Sequence, residues 1–235
     1  MQTFSTLVDD IAEVTCRKGE EQLIASLVNG AVRELESMGL YEQDLVEVRI
    51  KTEGASTQPF MWRDAPKNLR AISHVRYSNG VIPVPVKVSR KLEELKGNYY
   101  YIAGSYIAFS GAPLGGDIDV AYYQIQPRLK YYAAKDEQPA IREGQESAWK
   151  YRYFDPDTQR YSYVDTLGSE EADYEARAKV TNWLLEDYYE AVRAIAVREV
   201  FNAFNDVANS STWTAVANNH KQIFKNLTGI KGIYT

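Results

Sequence analysis

Residues 182–201 constrain the fold most strongly, because their apolar side chains recur with the period of one long α-helix. One stripe consists of Leu184, Tyr188, Ala191 and Ile195, and the stripe beside it of Leu185, Tyr189, Val192, Ala196 and Val200. Two merged stripes form a wide apolar face, which is typical of a helix buried among other helices. Thr181 or Asn182 can cap such a helix through a side-chain oxygen. We therefore predict a single helix from Asn182 to Phe201, with its inner face in a helical core.

Three further helices are indicated by apolar residues at helical spacing. The first contains Phe4, Leu7, Val8, Ile11 and Val14. The second covers residues 23–38 and stops at Gly39, and its short join to the first predicts a helical hairpin. Near the C-terminus, Ser210 or Ser211 is expected to cap a last helix that Gly229 ends. Its apolar stripe consists of Trp213, Val216, His220, Ile223, Phe224 and Leu227.

The middle of the chain has the pattern of β-structure. Residues 45–51 alternate between apolar and charged side chains, which predicts a strand. Residues 78–80 contain an Asn-Gly pair between two β-rich runs, which is a strong hairpin signal. Pro83 and Pro85 in the second run predict an edge strand, because proline cannot donate a ladder hydrogen bond. Further strands are expected at residues 99–103, 106–109 and 118–123. These strands predict a small antiparallel β-sandwich or barrel.

A tyrosine-rich hairpin is predicted farther along, with strands at residues 148–154 and 161–165 around a turn at 155–158. Its strands carry few aliphatic side chains, so it cannot bury a core of its own and is expected to lie on a neighbouring part of the protein. Residues 169–180 have a mostly polar helical pattern that leads into the long helix.

The predicted fold class is therefore α+β. Residues 1–44 and 169–229 are expected to form an antiparallel bundle of about four helices. Residues 45–128 form the inserted β-sandwich or barrel, and residues 129–168 form the tyrosine-rich hairpin insertion. Residues 230–235 are an extended C-terminal tail. The 235-residue length is sufficient for a core of this size.

The charge and cysteine content exclude several classes of protein. A formal net charge of −5 argues against a general nucleic-acid binder, which needs clustered lysine and arginine. The single cysteine, Cys16, rules out an intrachain disulfide framework and fits a reducing compartment. We predict it to be a small buried apolar residue in the last turn of the first helix. We expect no membrane partner and no signal peptide, because neither a spanning run nor a basic-then-apolar leader is present.

The sequence contains no strong catalytic motif, so we expect a protein that is not an enzyme. His74 and His220 are predicted to be packed or interface residues. Residues 111–116 are glycine-rich but lack the Lys-Ser/Thr of a phosphate loop. The aspartates at 155, 157 and 165 lack the glycine and distal glutamate of a calcium loop. We therefore expect no catalytic residue, no cofactor and no metal.

Two charged stretches are candidates for interaction. Residues 165–190 contain eight acids and two bases, a balance of −6. Within them lies an acidic group made up of Glu170, Glu171, Asp173 and Glu175, for which a solvated face is the default interpretation. The tail after Gly229 combines apolar anchors with nearby positive charge, as a docking peptide does. The candidate docking residues are Lys225, which precedes the tail, and Ile230, Lys231, Ile233 and Tyr234 within it.

Three stretches together resemble the head-to-tail adaptor (connector) proteins of tailed bacteriophages. The first is residues 66–77 with the following Asn-Gly turn and Pro-Val-Pro-Val strand. The second comprises residues 99–109 and 118–123, and the third, most specific, is Thr-Asn-Trp-Leu-Leu-Glu-Asp-Tyr at 181–188. Residues 130–180 depart from the family by their length. The resemblance implies a helical bundle with a β insertion.

The resemblance also implies a function. Twelve copies would form a ring beneath the portal that continues the DNA channel, and the C-terminal segment would reach into the portal. The expected partners are other copies of the chain, the portal protein, a tail or nozzle protein, and double-stranded DNA that passes without specific binding. The acidic group at 170–175 would line the channel or its rim and repel phosphates. The expected location is the neck of the virion, after synthesis in the host cytoplasm.

The sequence is also compatible with two other functions. One is another phage neck or tail protein, such as a stopper or a tail terminator, for which a ring of different copy number would be expected. The other is a carbohydrate-binding or carbohydrate-active protein that uses the tyrosine- and tryptophan-rich insertion and the acids near Asp155.

Overall fold

The computed structural model describes residues 3–51, 60–78, 84–88, 99–110, 117–138, 148–155, 160–164 and 180–228. These residues have a mixed α+β fold with five α-helices and two sheets. The chain divides into two compact units, of which the first comprises Met1–Gly39 with Arg128–Thr235 and the second Leu40–Pro127. The helices, all in the first unit, are α1 (Phe4–Val14), α2 (Glu21–Ser37), α3 (Trp183–Asp187), α4 (Tyr189–Ala203) and α5 (Val207–Thr228).

Ten strands are found among the described residues, and they fall into two sheets. A seven-stranded sheet in the second unit has the order β1-β7-β3-β4-β5-β6-β2, and a three-stranded sheet in the first unit has the order β10-β9-β8. The bounds are β1 Leu45–Lys51, β2 Phe60–Asp64, β3 Leu69–Ser78, β4 Val84–Val88, β5 Tyr99–Ala103, β6 Tyr106–Ser110, β7 Asp117–Gln124, β8 Tyr131–Gln138, β9 Ala148–Asp155 and β10 Arg160–Val164. A short 3-10 helix, Glu42–Asp44, precedes β1.

The seven-stranded sheet corrects two predictions. Strand β4 lies between β3 and β5, so the prediction of an edge strand from the two prolines is wrong at Pro85, the one of the two that the structure describes. Its pairing with β5 is parallel and uses only Lys87 and Val88, opposite Tyr99 and Tyr100. Pro85 precedes this pair and therefore need not donate to β5. The expected all-antiparallel arrangement is consequently wrong for this one pair.

A curled sheet encloses the core of the second unit. The described strands leave β1 and β2 as free edges, so among them no barrel is closed. Residues from four strands nevertheless share one apolar cluster, which fits the strong twist of sheets of this size. The buried members are Val75, Tyr77, Tyr100, Ile107, Phe109, Ile118, Val120 and Tyr122.

Helix α4 is the centre of the first unit. It packs against α2 and α5 and also contacts α1. Leu184 of α3 and both Val192 and Ile195 of α4 are fully buried, which confirms their prediction as core residues. Arg193 adds an ion pair, with Nε 2.5 Å from Asp10 Oδ2 on α1.

The predicted single helix from 182 to 201 is in fact two helices. Asn182 caps α3, since its Oδ1 accepts from the N–H of Leu185 at 3.0 Å. The backbone then leaves the helical region at Tyr188, where φ is −132° and ψ is 34°. The amides of Ala191 and Val192 donate to the carbonyl of Tyr188 and begin α4. Tyr188 is half-buried, so its prediction as a core residue is also wrong.

Two helix ends also differ from expectation. Helix α5 begins at Val207, three residues before the predicted cap, because Asp206 Oδ1 accepts from the N–H of Asn209 at 3.2 Å. After α1 the chain turns sharply at Cys16, which has φ 54° and is exposed. The amide of Arg17 donates back to Ala12 O at 2.8 Å, so the helix closes before Cys16. The prediction of a buried Cys16 within the helix is therefore wrong.

The tyrosine-rich hairpin is confirmed as β9 and β10, which pair antiparallel from Asp155–Arg160 to Tyr151–Val164. Strand β8, which was not predicted, extends it to three strands. Asn29 on α2 fixes the approach to β8, since Leu129 N–H donates to its Oδ1 at 2.8 Å and its Nδ2 donates to Leu129 O at 3.0 Å. The hydroxyl of Tyr131 donates to Asp9 Oδ1 on α1 at 2.8 Å, so the strand begins against that helix.

Candidate interaction groove

A cavity of about 270 Å³ opens between the α3–α4 junction and the last turns of α5. We call it the junction groove. Its lining residues are Glu186, Asp187, Tyr188, Tyr189, Glu190, Ala191, His220, Ile223, Phe224 and Leu227. All of them belong to the first unit. The groove exists because Tyr188 leaves the helical conformation, so that α3 and α4 do not form one cylinder against α5.

Three aromatic rings, those of Trp183, Tyr188 and Phe224, form a cluster beside the groove. Tyr188 meets Phe224 edge-on, with ring centroids 4.8 Å apart and planes at 89°. Trp183 stacks on Phe224 at 6.5 Å and 23°, and meets Tyr188 edge-on at 6.0 Å. Both are preferred geometries for aromatic pairs, because the ring edge is positive and the face negative. Phe224 is fully buried, so this cluster holds α5 against the junction.

The outer wall of the groove is apolar and exposed. Ile223 and Leu227 lie one turn apart on α5, and 43% and 68% of their surfaces are accessible. Of the six residues predicted to form the apolar stripe of this helix, only Phe224 is buried. Trp213, Val216 and His220 are half-buried. Ile223 and Leu227 are exposed and line the groove, so the predicted stripe is only partly buried.

The opposite wall is acidic. Glu186, Asp187 and Glu190 line the groove and are exposed. Glu190 has one distant basic neighbour, Arg193, whose Nη1 is 3.8 Å from its Oε2. Burial raises the pKa of Tyr189 to about 12, and the nearby carboxylate of Asp10 acts in the same direction. The Tyr189 hydroxyl is therefore neutral at physiological pH, and the carboxylates set the charge of this wall.

An ionic cluster fixes the position of α5. Glu34 on α2 accepts from Arg198 Nη2 on α4 at 2.8 Å and also pairs with Lys221 on α5. Arg198 Nη2 lies 2.5 Å from Glu199 as well. Burial acts to raise the pKa of Glu34, but the hydrogen bonds from Lys221 and Arg198 outweigh it and lower that pKa. One carboxylate thus joins three helices, and its partner on α5, Lys221, directly follows His220 of the groove.

Of the residues predicted to dock on the portal or to line the DNA channel, the structure describes only Lys225. Lys225 is exposed on the last turns of α5. The remaining docking candidates, Ile230, Lys231, Ile233 and Tyr234, lie outside the described residues. The acidic group Glu170, Glu171, Asp173 and Glu175 also lies outside them, as do residues 111–116 and the aspartates 157 and 165. Those predictions stay predictions.

Both histidines lie in the described part of the chain. His220 is half-buried and lines the groove, and His74 is half-buried on β3. Among the described residues no three His, Cys, Asp or Glu side chains are grouped as metal ligands. No helix in the same residues combines the length and apolarity needed to cross a bilayer.

Sequence reasoning missed the groove itself. A signal was present, since the apolar residues Ile223 and Leu227 stand at i and i+4 among polar neighbours near the end of α5. Three carboxylates near one helix junction, at 186, 187 and 190, gave the second half of the signal. The sequence does not show that these two features face each other, because their relative position depends on the break between α3 and α4 at Tyr188.

The chain matches no model of a known protein family, and a search of curated proteins returns no significant match.

Proposed function

We propose that this protein is a structural, non-enzymatic head-to-tail adaptor of a tailed bacteriophage. Twelve copies would form a ring in the neck of the virion, join the portal to the tail or nozzle, and continue the DNA channel. The observation that carries the proposal is the stretch 181–188, which resembles the adaptor family most specifically. In the structure this stretch supplies the cap Asn182 and two rings of the aromatic cluster, Trp183 and Tyr188, beside an open groove.

The order of elements supports the same proposal. Two helices precede a β-rich unit, and α3, α4 and α5 follow it, of which α5 is the longest described helix of the chain. We propose that α1, α2, α4 and α5 form the antiparallel bundle of the family and that residues 45–128 are its β-sandwich or barrel insertion. The packing of α4 against α1, α2 and α5 supports the bundle. The segment 129–168 would be an addition to the common architecture.

The mechanism would be geometric and electrostatic. The ring leaves an axial passage, and the acidic group at 170–175 would repel the phosphates of passing DNA so that the duplex slides. The tail residues Ile230, Ile233 and Tyr234 would anchor in the portal, with Lys225 and Lys231 orienting them. Many tails on one ring act together, so weak single contacts give tight attachment.

Mass photometry of the purified chain, alone and mixed with portal rings, tests the assembly. Twelve copies of a 26.7 kDa chain give a particle of about 320 kDa, and we expect it alone or on the portal. A ring of another size would favour a stopper or tail terminator instead. Monomers under both conditions, together with binding in a glycan screen, would replace the proposal by the carbohydrate alternative.

Removal of residues 230–235 tests the docking role. The truncated chain is expected to remain folded, as judged by circular dichroism, and to lose attachment to portal-containing heads in cosedimentation. Equal cosedimentation of the truncated and full chains would show that the tail is not the docking arm. A matched control is Val207→Gln, which changes an exposed apolar residue at the other end of α5.

A further inference from the structure

The junction groove has an uncovered apolar wall at the end of α5. Leu227 is 68% exposed, and the described part of this helix ends one residue later, at Thr228. Ile223 continues the wall one turn earlier, beside the buried ring of Phe224. Apolar side chains aligned along a groove gain free energy when a ligand removes them from water. The wall is thus suited to a short apolar segment that runs along α5.

The seven residues that follow α5 lie outside the described part of the chain, and they begin with Gly229. Glycine directly after a helix readily adopts the left-handed conformation that turns the chain back. Residues 230–235, if extended, span about 20 Å. The groove wall from His220 to Leu227 covers eight residues of helix, and its ends are seven residue steps, or about 10 Å, apart. The segment is therefore long enough to lie back along the wall from which it emerges.

The chemistry of the segment is complementary to the groove. It offers the apolar side chains Ile230, Ile233 and Tyr234, and one cation, Lys231. The groove offers an apolar wall and, opposite it, the three carboxylates of its acidic wall. A segment with apolar anchors and one cation satisfies both walls, whereas an anionic segment would be repelled by the carboxylates.

We propose that residues 230–234 bind in the junction groove of their own chain. The apolar side chains cover Ile223 and Leu227, and Lys231 faces the acidic wall. Attachment to the end of α5 gives the segment a high effective concentration, so weak contacts suffice to hold it. This inference does not depend on the proposed function. In an adaptor, the same segment would exchange from the groove to the portal.

Hydrogen exchange measured by mass spectrometry tests the proposal on the isolated chain. The full chain is compared with a chain that ends at Thr228, each at two concentrations. Truncation is expected to speed amide exchange in residues 186–191 and 220–227 by about fivefold or more, because an uncovered helix end opens more often. Strands β1 and β7 should exchange at unchanged rates. Equal exchange in the two chains would overturn the proposal.

The dependence of amide protection on protein concentration shows whether the bound segment belongs to the same chain or to a second copy. Protection by the chain's own tail is the same at both concentrations. Protection that appears only in the concentrated sample would overturn the proposal and assign the groove to the tail of a second copy. Loss of portal attachment is measured separately, so failure here leaves the adaptor proposal standing.

A pair of variants locates the contact. Leu227→Gln in the full chain should reproduce the faster exchange, since it replaces the most exposed apolar residue of the groove. Val207→Gln alters a residue that is 78% exposed on the first turn of the same helix and should leave exchange in the groove unchanged. Equal effects of the two substitutions would mean that α5 is loosened in general, and the proposed contact would be wrong.

Discussion

The hydroxyl of Tyr77 donates a hydrogen bond of 2.5 Å to the carbonyl oxygen of Ser110. Tyr77 lies on β3 and Ser110 on β6, and two strands separate them in the sheet. Both residues are buried. A side chain can reach across two intervening strands only if the sheet curls strongly towards its own face. The bond therefore joins β3 to β6 across the core of the second unit.

Tyr77→Phe tests this bond. The change keeps the ring and removes the hydroxyl, so the buried carbonyl of Ser110 loses a donor. We expect a loss of about 1–3 kcal/mol in the free energy of unfolding, measured with denaturant. Tyr101→Phe, on β5 and half-buried, is the matched control and should change stability by much less. Equal effects would mean that the Tyr77 bond does not hold the curl.

Alkaline pH should weaken the fold through buried tyrosines. Burial raises the pKa of Tyr77 and of Tyr100, and it raises that of Tyr189 to about 12. A raised native pKa means that the neutral form is favoured in the folded state, so the contribution is complete below pH 10 and is lost above it. We expect the free energy of unfolding to fall between about pH 10 and 12. Absorbance at 295 nm should show part of the tyrosine titrating only with unfolding.

The period of apolar side chains and the turn residues correctly predicted the elements whose bounds are set by residues close together in the sequence. Residues 45–51 alternate and are strand β1, paired with β7 along its whole length. The stripe of the first helix is buried at Phe4, Leu7, Val8 and Ile11. The hairpin of β9 and β10 was found from its tyrosines and its turn. In each case the side-chain period and the turn residues agree with the final packing.

The features that the sequence pattern did not predict depend on contacts between residues far apart in the sequence. Tyr188 completes a helical stripe, yet it leaves the helix and packs on Phe224, thirty-six positions later. Pro85 has the signature of an edge, yet a short parallel pair at Lys87 places its strand inside the sheet. The junction groove follows from the first of these events, so no window of local sequence could specify it. Side-chain propensity was overridden by tertiary packing in both places.

Ile195→Ala tests the central role of α4. Ile195 is fully buried where α4 packs among the other helices of the first unit. Removal of its larger side chain leaves a cavity, and we expect a loss of about 2–5 kcal/mol in the free energy of unfolding. Val207→Ala at an exposed site should cost less than about 1 kcal/mol. An unchanged melting temperature for Ile195→Ala would contradict a packed helical core.

Reversal of the acidic group tests the role of charge in the proposed channel. Changing Glu170, Glu171, Asp173 and Glu175 to lysine should leave folding intact and slow DNA ejection, because lysines attract the passing phosphates. Ejection kinetics of a phage carrying all four changes measure the effect. Reversal of Glu13, which is exposed on α1, is the control. Ejection at the normal rate would place the acidic group away from the DNA path.

The ionic cluster at Glu34 makes the first unit sensitive to acid. Glu34→Gln removes the charge shared by Arg198 and Lys221, and we expect a loss of about 1–2 kcal/mol at pH 7, since the site is only partly buried. Because the native pKa of Glu34 is lowered, its contribution is present above the unfolded pKa of 4.5 and disappears as pH falls through the native value. The stability difference between wild type and variant should therefore shrink below pH 4.5.

Denaturant unfolding at a series of pH values measures this difference, with Glu13→Gln as a control at an exposed position of α1. Exchange of amides in α5 should rise in Glu34→Gln at pH 7, because Lys221 no longer ties that helix to α2. The strands of the second unit should be unaffected. A stability difference that stays constant from pH 7 to 3 would show that the charge of Glu34 does not join the three helices.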